Sequence, residues 1–407
     1  MVKDQLSIAF LGTLVPDSIE FHNPAFNRSG NMVQSGIVEG LYKQGIDLKV
    51  LSSQPIPTFP IYKSIFCNRI VVNYSQDIKI TTIPSLNIVV LREIMRGIYA
   101  LFSLIIWAIK NRHKRRCIIV YNVYSPPLPI VYLIGKLTLS KTVAIIYDLG
   151  MPPKSLKLDF IRRTIYQLVE LTAKIFVPLL NGRIVITDAI AKDYAPHNHY
   201  LMIDGGISSE IVNRLFPLIQ KEERVETVFL CAGSLWGGNG IQFILESMKI
   251  NKNQSLRVWF AGNGPDISII VNASKIDPRI EYKGMLNLDQ LFALYKEADV
   301  LMNIRVIPED EGEYLFPSKL IEYLTIGKHV ISTQAVHIKR DFGHICTVLD
   351  KISPQYLSDS IDIIAELSSL ELNEKGKQAR NYMLNNYTWD KRSEKILNYI
   401  NDVVFQN

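Results

Sequence analysis

The segment Asn303–Thr333 contains the residues whose types and spacing most clearly indicate chemistry. An acidic loop leads into a Phe-Pro-Ser-Lys sequence, and an amphipathic stretch and a β-branched run follow. This order predicts strand, loop, helix and strand, with Pro317 at the helix start. The N-terminus of such a helix attracts anions, and Ser318 and Lys319 add a hydroxyl and a full charge there. Glu322, one turn further along, could accept hydrogen bonds from hydroxyl groups. A phosphate site beside such a carboxylate indicates a nucleotide or a sugar nucleotide.

The elements that must position this segment alternate between strands and helices. In the first half, the pattern predicts strands at Leu6–Leu11, Asp47–Leu51, Cys117–Tyr121, Thr142–Tyr147 and Arg183–Thr187, and helices at Asn31–Gln44, Arg92–Arg112, Pro127–Thr138 and Leu156–Leu180. In the second half, it predicts strands at Val228–Ala232, Arg257–Ala261, Val300–Asn303 and Val330–Ser332, and helices at Gln242–Met248, Leu288–Glu297, Ser318–Thr325 and Ser353–Leu367. Two successive runs of this kind predict two doubly wound α/β domains.

The segment Asn303–Thr333 resembles the donor-binding motif of retaining glycosyltransferases with the GT-B fold. Its Asn-x-Arg, Phe-Pro-Ser-Lys, Glu-Tyr and Gly-x-x-Val sub-motifs are similar to those of the family 4 branch that builds bacterial surface polysaccharides. The resemblance implies a GT-B fold, with two doubly wound Rossmann-like domains facing across a cleft. It also implies an acceptor-binding domain at 1–206, a linker at 207–226, a donor-binding domain at 227–386 and a C-terminal helix at 387–407 that crosses back to the first domain.

The resemblance also assigns donor-binding roles, beginning with Glu322 as the ribose ligand. Glu313, or alternatively Glu311, would bind the donor sugar, unless it belongs to a solvated acidic loop. The remaining donor-binding candidates are Ser318, Gly233, Ser234, Gly284, Met285, Gly30 and Asn31. The last two open the first long helix, where backbone N–H groups could approach a phosphate and where a plain turn is the alternative.

One departure from the family concerns the positive charges around the donor diphosphate. Many relatives carry an Arg and, five residues later, a Lys, where this chain has Ser234 and Asn239. A diphosphate leaving group still needs positive compensation, and Arg305 and Lys319 are the predicted catalytic cations. The alternatives are a salt bridge from Arg305 to an acidic residue at 309–311 and a solvated Lys319.

Polar residues at predicted strand ends are candidates for contacting either the acceptor or the transferred sugar. Asn122 and Tyr124 follow one strand, and Asp148 follows the next. Asp148 could orient or deprotonate an acceptor hydroxyl, or could simply cap a turn. The His residues show no metal-ligand spacing and no Asp-x-Asp occurs, so we expect no metal cofactor and treat the nucleotide sugar as a substrate.

Charge is unevenly distributed, with +10 in residues 1–205 and −4 in residues 206–407. The apolar stretch Ile98–Ile109 runs into KNRHKRR, and a second apolar repeat with basic flanks covers 158–179. Together these favour an anionic membrane surface as a partner, although core-facing helices with solvated cations are the alternative. No nucleic-acid motif accompanies the charge.

The expected location is cytoplasmic, peripheral at the inner face of the cell membrane. The four Cys residues are widely spaced, as in a reducing compartment, and the N-terminal apolar run is too short for a signal peptide. No feature of the sequence indicates an oligomeric state.

These inferences predict a glycosyltransferase that moves a sugar from a nucleoside-diphosphate sugar to a hydroxyl. By resemblance, configuration would be retained. The acceptor would be a lipid-linked oligosaccharide of capsular, exopolysaccharide or O-antigen synthesis. The alternatives are a non-catalytic GT-B partner subunit, favoured by the missing Arg/Lys pair, and a sugar-nucleotide epimerase of the same fold.

Overall fold

The computed structural model describes residues 5–18, 21, 23–74, 77–123, 127–148, 160–195, 197, 199–208, 212, 225–308 and 312–406. The chain divides into two compact units, which are described separately. Unit 1 comprises Met1–Gly206 and Trp389–Asn407, and unit 2 comprises Ile207–Thr388. The linker predicted at 207–226 lies largely outside the described residues.

Unit 1 is built on an eight-stranded sheet and a small two-stranded antiparallel sheet. Its strands are β1 (Leu6–Gly12), β2 (Asp47–Ser52), β3 (Phe66–Cys67), β4 (Val71–Asn73), β5 (Lys79–Thr82), β6 (Ser85–Leu86), β7 (Arg115–Tyr121), β8 (Lys141–Ile146), β9 (Gly182–Val185) and β10 (Leu201–Met202). The sheet order is β10-β9-β8-β7-β1-β2-β5-β4, and β3 pairs with β6. Within the large sheet, the edge strand β4 runs antiparallel to β5, and the other pairs are parallel.

Helices cover both faces of the central strands of this sheet. They are α1 (Arg28–Lys43), α2 (Val89–Lys110), α3 (Pro127–Thr138), α4 (Phe160–Phe176) and α5 (Asp188–Tyr194). Ile8 and Phe10 of β1 belong to the same core as Ile37 of α1. Ser7, which precedes Ile8, accepts a hydrogen bond from Trp107 Nε1 of α2 at 3.2 Å. Because the strand is covered on both faces, β1 is buried along nearly its whole length and is mostly apolar, instead of alternating between buried and exposed residues.

Unit 2 is built on a six-stranded parallel sheet. Its strands are β11 (Thr227–Ser234), β12 (Leu256–Asn263), β13 (Ile280–Tyr282), β14 (Val300–Asn303), β15 (His329–Thr333) and β16 (Thr347–Leu349), in the order β13-β12-β11-β14-β15-β16. Its helices are α6 (Ile241–Ile250), α7 (Ile267–Ile276), α8 (Leu288–Glu297), α9 (Ser318–Ile326), α10 (Ile338–Phe342), α11 (Pro354–Glu366) and α12 (Ser369–Asn386). The strand order reverses between the neighbours β11 and β14, so their carboxyl ends are where a doubly wound sheet binds ligands.

The last helix, α13 (Trp389–Tyr399), belongs to unit 1 and packs against α1. Its Trp389 indole lies directly on Gly36, where any Cβ would overlap the ring. Arg392 forms a buried ion pair with Asp204, and Tyr399 donates a hydrogen bond to the His199 carbonyl at 2.9 Å. A five-residue π-helix, Ile400–Val404, continues α13.

Every predicted strand and helix is present, with end points displaced by a few residues. The helix predicted from Asn31 begins at Arg28, and the helix predicted from Leu156 begins, in the described part of the chain, at Phe160. Among the described residues, no helix combines the length and hydrophobicity that crossing a bilayer requires.

Candidate active site

In unit 2, helix α9 begins at Ser318, as predicted. Pro317 occupies the N-cap and has no side-chain cap to offer, so the first turn keeps its positive dipole end available. Ser318 is exposed at this end, and Gly327 closes the helix in the left-handed conformation.

Lys319 reaches from α9 to the end of β11. Its Nζ donates a hydrogen bond to the Ala232 carbonyl and lies against the backbone of Gly233. Gly233 has a φ of +127°, a backbone conformation that favours glycine, and a Cβ there would also displace Lys319 Nζ. Burial lowers the pKa of Lys319, and the nearby Glu322 carboxylate partly opposes that shift.

Glu322 is held by a buried tyrosine that the sequence analysis did not select. Tyr295 of α8 donates from its hydroxyl to Glu322 Oε1 at 3.0 Å and is 1% exposed. The Tyr323 ring stands edge-on to Tyr295 with centroids 5.8 Å apart, and its hydroxyl donates to the Ala232 carbonyl at 2.9 Å. Burial, with Tyr323 and Glu322 adding to it, raises the pKa of Tyr295, which therefore remains a neutral donor. This network fixes the direction in which the Glu322 carboxylate points.

Arg305 follows β14 and is half-buried. Its backbone N–H donates to Thr333 Oγ1 at 2.8 Å, which fixes the chain where the side chain departs. Burial lowers the pKa of Arg305, and its charge in turn helps lower the pKa of Lys319, so the two cations are close enough to interact. The acidic residues proposed as alternative partners, at 309–311, lie outside the described residues.

Ser234 and Asn239, at the positions where the sequence resemblance would place cations, are polar and hydrogen-bonded to each other within the loop. Asn239 donates from Nδ2 to the Ser234 carbonyl at 2.6 Å, and Ser234 is exposed. The Asn239 amide is therefore hydrogen-bonded within its own loop, at a position where the sequence resemblance would place a cation. Among the described residues of unit 2, Lys319 and Arg305 are the predicted cations at the carboxyl ends of β11 and β14.

The other donor-side candidates lie on other loops of unit 2. Gly262, at the end of β12, lies directly on the Gly233 carbonyl and donates from its N–H to the Gly284 carbonyl at 2.8 Å. Met285 projects into solvent with 77% exposure. Glu313 is also exposed, and none of its described contacts joins it to Lys319 or Glu322.

In unit 1, the predicted first-domain residues Gly30, Asn31, Asn122 and Asp148 all line one cavity of about 270 Å³. The cavity lies at the carboxyl ends of β1, β2, β7 and β8, beside the N-terminus of α1. Tyr124, the remaining acceptor candidate, lies outside the described residues.

Hydrogen bonds in this cavity modify the roles expected for Gly30 and Asn31. The Gly30 N–H donates to Asn27 Oδ1 at 3.0 Å, because α1 starts three residues earlier than predicted and Asn27 caps it. Asn31 is buried, with Oδ1 accepting from the Val15 N–H at 3.0 Å and Nδ2 donating to the Val15 carbonyl at 2.9 Å. The groups expected to bind a phosphate here are therefore occupied within the protein.

Asn122 also serves the backbone. It adopts a φ of +62°, and its Oδ1 accepts from the N–H groups of Tyr147 and Asp148 at 2.9 and 3.1 Å. This side chain ties the end of β7 to the end of β8 and so positions Asp148, whose side chain is exposed at the cavity.

The long helix α2 exposes an apolar stripe on the side opposite its buried face. The exposed residues recur every three or four positions: Leu91, Ile94, Met95, Ile98, Phe102, Ile106 and Ile109. Helix α4 does the same with Ile165, Leu168, Leu171 and Ile175, and α3 packs between α2 and α4. The alternative of core-facing helices is therefore wrong for these residues.

Most of the basic residues that follow α2 make contacts within the protein. Arg116 donates from Nη1 to the Ala108 carbonyl and from Nη2 to the Thr138 carbonyl, both at 2.7 Å. Arg115 lies over the Phe405 ring at 4.4 Å, and Lys114 pairs with Asp47 at 2.7 Å. Of the four Lys and Arg residues at 112–116, these three make contacts near the start of the central strand β7, so they are not free to bind a surface.

Comparisons with known proteins agree with this architecture. Residues 226–361, which contain the Lys319–Glu322 cluster, match the family described as glycosyl transferases group 1. No curated protein matches the sequence. Similar solved structures include sucrose-phosphate synthase from Thermosynechococcus elongatus, with 12% identity, a TM-score of 0.62 and coverage of 98% of this chain and 100% of that one.

Two further solved structures are similar at comparable identity. HepE from Anabaena, in complex with UDP, has 11% identity and a TM-score of 0.59, with 97% and 100% of the two chains covered. WaaG, a glycosyltransferase involved in lipopolysaccharide biosynthesis, has 14% identity and a TM-score of 0.56, with 97% and 99% covered. The predicted α/β fold with two Rossmann-like domains, GT-B, is confirmed. The family match over the cluster and this fold together support a glycosyltransferase, as the sequence predicted.

Proposed function

We propose that the protein transfers a sugar, with retention, from a nucleoside-diphosphate sugar to a hydroxyl of a lipid-linked oligosaccharide. The main support is the pairing of Lys319 and Glu322 one turn apart at the open end of α9, inside the segment that matches the glycosyltransferase family. HepE has been solved with UDP, so a uridine nucleotide is the first donor to test. The surface-polysaccharide role rests on the sequence resemblance.

In the proposed mechanism, unit 2 holds the donor. The α9 N-terminus, Ser318, Lys319 and Arg305 stabilise the negative charge that develops on the departing diphosphate. Glu322, oriented by Tyr295, accepts hydrogen bonds from the ribose hydroxyls. Gly233, Ser234, Gly284 and Met285 shape the loops around the nucleotide, and Glu313 is assigned to the donor sugar. None of these roles calls for a metal ion.

Unit 1 is proposed to hold the acceptor. Asp148 lies at the 270 Å³ cavity and would orient or deprotonate the attacking hydroxyl. Asn122 acts through Asp148, because its side chain accepts from the Asp148 N–H. Gly30 and Asn31 shape the wall formed by α1.

An anionic membrane is the proposed docking surface of unit 1. The exposed apolar stripes of α2 and α4 support it, and residues 1–205 carry the +10 charge that an anionic leaflet would attract. Because Arg115 and Arg116 already make contacts within the protein, we assign the larger share of the membrane-binding energy to insertion of the exposed apolar side chains of α2 and α4 into the membrane. Such docking would place the protein at the cytoplasmic face and bring it to a lipid-linked acceptor.

A thermal-shift screen of nucleoside diphosphates tests the donor assignment, since a ligand bound by the native state alone raises its stability. We expect UDP to stabilise the wild-type protein and to stabilise Lys319→Met much less. If no nucleoside diphosphate shifts the unfolding temperature, the non-catalytic partner subunit becomes the better assignment. The Asn239 amide, hydrogen-bonded within its own loop, is the observation that keeps that alternative open. Interconversion of a UDP-sugar without an acceptor would favour the epimerase.

A further inference from the structure

Two arginines that the proposed function does not use line the unit 1 cavity. Arg92 and Arg96 stand one turn apart on the first half of α2, and both side chains contribute to the cavity wall. Their side chains are 17% and 9% exposed, so two full positive charges are largely withdrawn from water. Neither residue belongs to the donor cluster, by which we mean Lys319, Glu322 and Arg305 of unit 2.

The structure holds both guanidinium groups firmly on one wall. Arg92 donates from Nη1 to the Ile56 carbonyl at 3.0 Å, and Arg96 donates from Nη2 to the Gln54 carbonyl at 2.8 Å. The segment after β2 therefore fixes where the two planar groups lie. A preorganised pair loses little further freedom when a ligand binds.

The two arginines share a single carboxylate oxygen. Arg92 Nε and Arg96 Nη1 both donate to Glu93 Oε1, at 3.0 and 3.2 Å. One carboxylate cannot neutralise two guanidinium groups. The Arg96 Nε is also buried without a hydrogen-bond partner in the described structure. Ten N–H donors are available on the two groups, and the described hydrogen bonds use about half of them.

The part of the cavity lining that comes from α1 adds to the same electrostatic preference. It is formed by the first turns of α1, including Asn27 and Gln34, and the positive end of this sixteen-residue helix points there. Asp148 is the acidic residue among those lining the cavity, and it lies exposed. Buried guanidinium groups with incomplete compensation favour an anion, and their fork geometry matches the two oxygens of a carboxylate or a phosphate.

We propose that the unit 1 cavity binds an oxyanion substituent of the acceptor, a carboxylate or a phosphate, through Arg92 and Arg96. The volume of about 270 Å³ suits one sugar unit with its charged group and is too small for an oligosaccharide. The assignment of this ligand to the acceptor rests on the proposed function. It means that the protein selects an acidic acceptor, such as a uronic acid or a phosphorylated sugar, over a neutral one.

The test measures oxyanion binding by isothermal titration with glucuronate, inorganic phosphate and the neutral analogue glucose. It uses Lys319→Ala protein, in which phosphate binding at the donor site of unit 2 is weakened, and the Arg96 variant below separates the two sites. We expect glucuronate, phosphate or both to bind at least tenfold more tightly than glucose, and binding to weaken as salt is added. A preference for glucuronate assigns a uronic acid, and a preference for phosphate assigns a phosphorylated sugar.

Variants locate the binding. Arg96→Gln should weaken the tighter oxyanion at least tenfold, and Arg92→Gln provides a second variant in case Arg96→Gln does not fold. Arg163→Gln, an exposed arginine of α4 in the same unit, makes the same charge change and should have no effect. Equal binding of glucose and both oxyanions overturns the inference, as does unchanged binding in folded Arg96→Gln.

The outcome is separable from that of the proposed function. If wild-type protein fails to bind UDP while glucuronate or phosphate binds the cavity, the oxyanion site stands and the donor assignment fails. If UDP binds and neither oxyanion does, the donor assignment stands. The two arginines then serve only to fasten the segment at 54–56 to α2.

Discussion

Replacing Lys319 with methionine removes one charge from the donor cluster and keeps nearly the same side-chain length. The Ala232 carbonyl, which accepts from Lys319 Nζ, also accepts from the Tyr323 hydroxyl at 2.9 Å. No buried acceptor is therefore left without a donor, and the removal of a partly buried charge offsets the lost hydrogen bond. We expect the free energy of unfolding of the ligand-free protein to stay within about 1 kcal/mol of the wild-type value.

Donor binding should change far more than stability. A hydrogen bond to a charged group contributes about 1.5–3 kcal/mol, so the Kd for UDP should rise by about 10- to 150-fold. At a UDP concentration of about 100 times the wild-type Kd, ligand stabilises the wild-type protein by about 2.7 kcal/mol. A variant that binds about 30-fold more weakly would gain only about 0.9 kcal/mol at the same concentration. The rate of sugar transfer should fall by about tenfold to a thousandfold.

The assay compares chemical unfolding with and without UDP in three proteins: wild type, Lys319→Met and Lys249→Met. Lys249 is an exposed lysine of unit 2, so its variant makes the same charge change away from the cluster. Wild-type UDP stabilisation in Lys319→Met would refute the diphosphate assignment. An equal loss in Lys249→Met would mean that overall charge, and not the cluster, governs binding.

The same residue predicts a pH dependence. Burial lowers the pKa of Lys319 below its usual 10.5, so the unfolded chain holds this proton more tightly than the folded one. Between the lowered pKa and 10.5, the contribution of Lys319 to stability therefore rises with pH, while donor affinity falls as the charge is lost. Lys319→Met should lack both trends.

Three further predictions concern neighbouring features. Glu322→Ala should weaken UDP binding by about 1.5–3 kcal/mol and should weaken a 2′-deoxynucleotide less; equal losses would assign Glu322 a structural role. Tyr295→Phe should raise the KM for the donor several-fold, because the Glu322 carboxylate loses the hydroxyl that orients it. The unfolding temperature should change little, because Glu322 is half-buried and water can replace the lost hydrogen bond. An unchanged KM would show that the carboxylate needs no such orientation. Replacing Ile98, Phe102 and Ile106 of α2 with serine should reduce binding to anionic phospholipid vesicles at least tenfold. Each apolar side chain inserted into the membrane contributes about 1.5–3 kcal/mol at most. As a control, the same change at three exposed apolar residues of unit 2, Ile276, Ile363 and Leu370, should leave vesicle binding unchanged.

The sequence was most informative where local rules and packing agree. The alternation of apolar strands and amphipathic helices predicted the parallel sheets, and Pro317 marked the start of α9 because its ring suits a helix start. The edge strand β4 and its neighbour β5 were not predicted, because they are short and their pairing depends on the rest of the sheet.

The candidate site was predictable only where it rests on local motifs. Lys319 and Glu322 follow from helix spacing, whereas Tyr295 lies in a different helix and meets Glu322 only through tertiary packing. Arg92 and Arg96 carried no motif, since each is one cation at the start of an apolar helix. Their significance comes from the shared Glu93 oxygen and the segment after β2, both of which require the folded chain.

The membrane prediction shows a different limit. Sequence patterning located the apolar and basic stretches, but it could not assign each face of a helix to core or solvent. In α2, the buried face consists largely of small and aromatic residues such as Ala100 and Trp107, which leaves larger aliphatic residues outside. The cations were misjudged for a similar reason, because the backbone carbonyls that engage Arg116 come from two different helices.

The return of α13 to unit 1 constrains how the protein matures during synthesis. Trp389 and Arg392, which complete the core beside α1 and pair with Asp204, leave the ribosome only after all of unit 2. At about 5–20 residues per second, unit 1 waits roughly 10 to 40 s for its last helix. During that interval the nascent chain carries an open apolar groove along α1, a surface that chaperones recognise, while unit 2 has its full sequence. Truncation before Trp389 should therefore destabilise unit 1, most of which lies far away in the sequence, and leave unit 2, which ends at Thr388, folded.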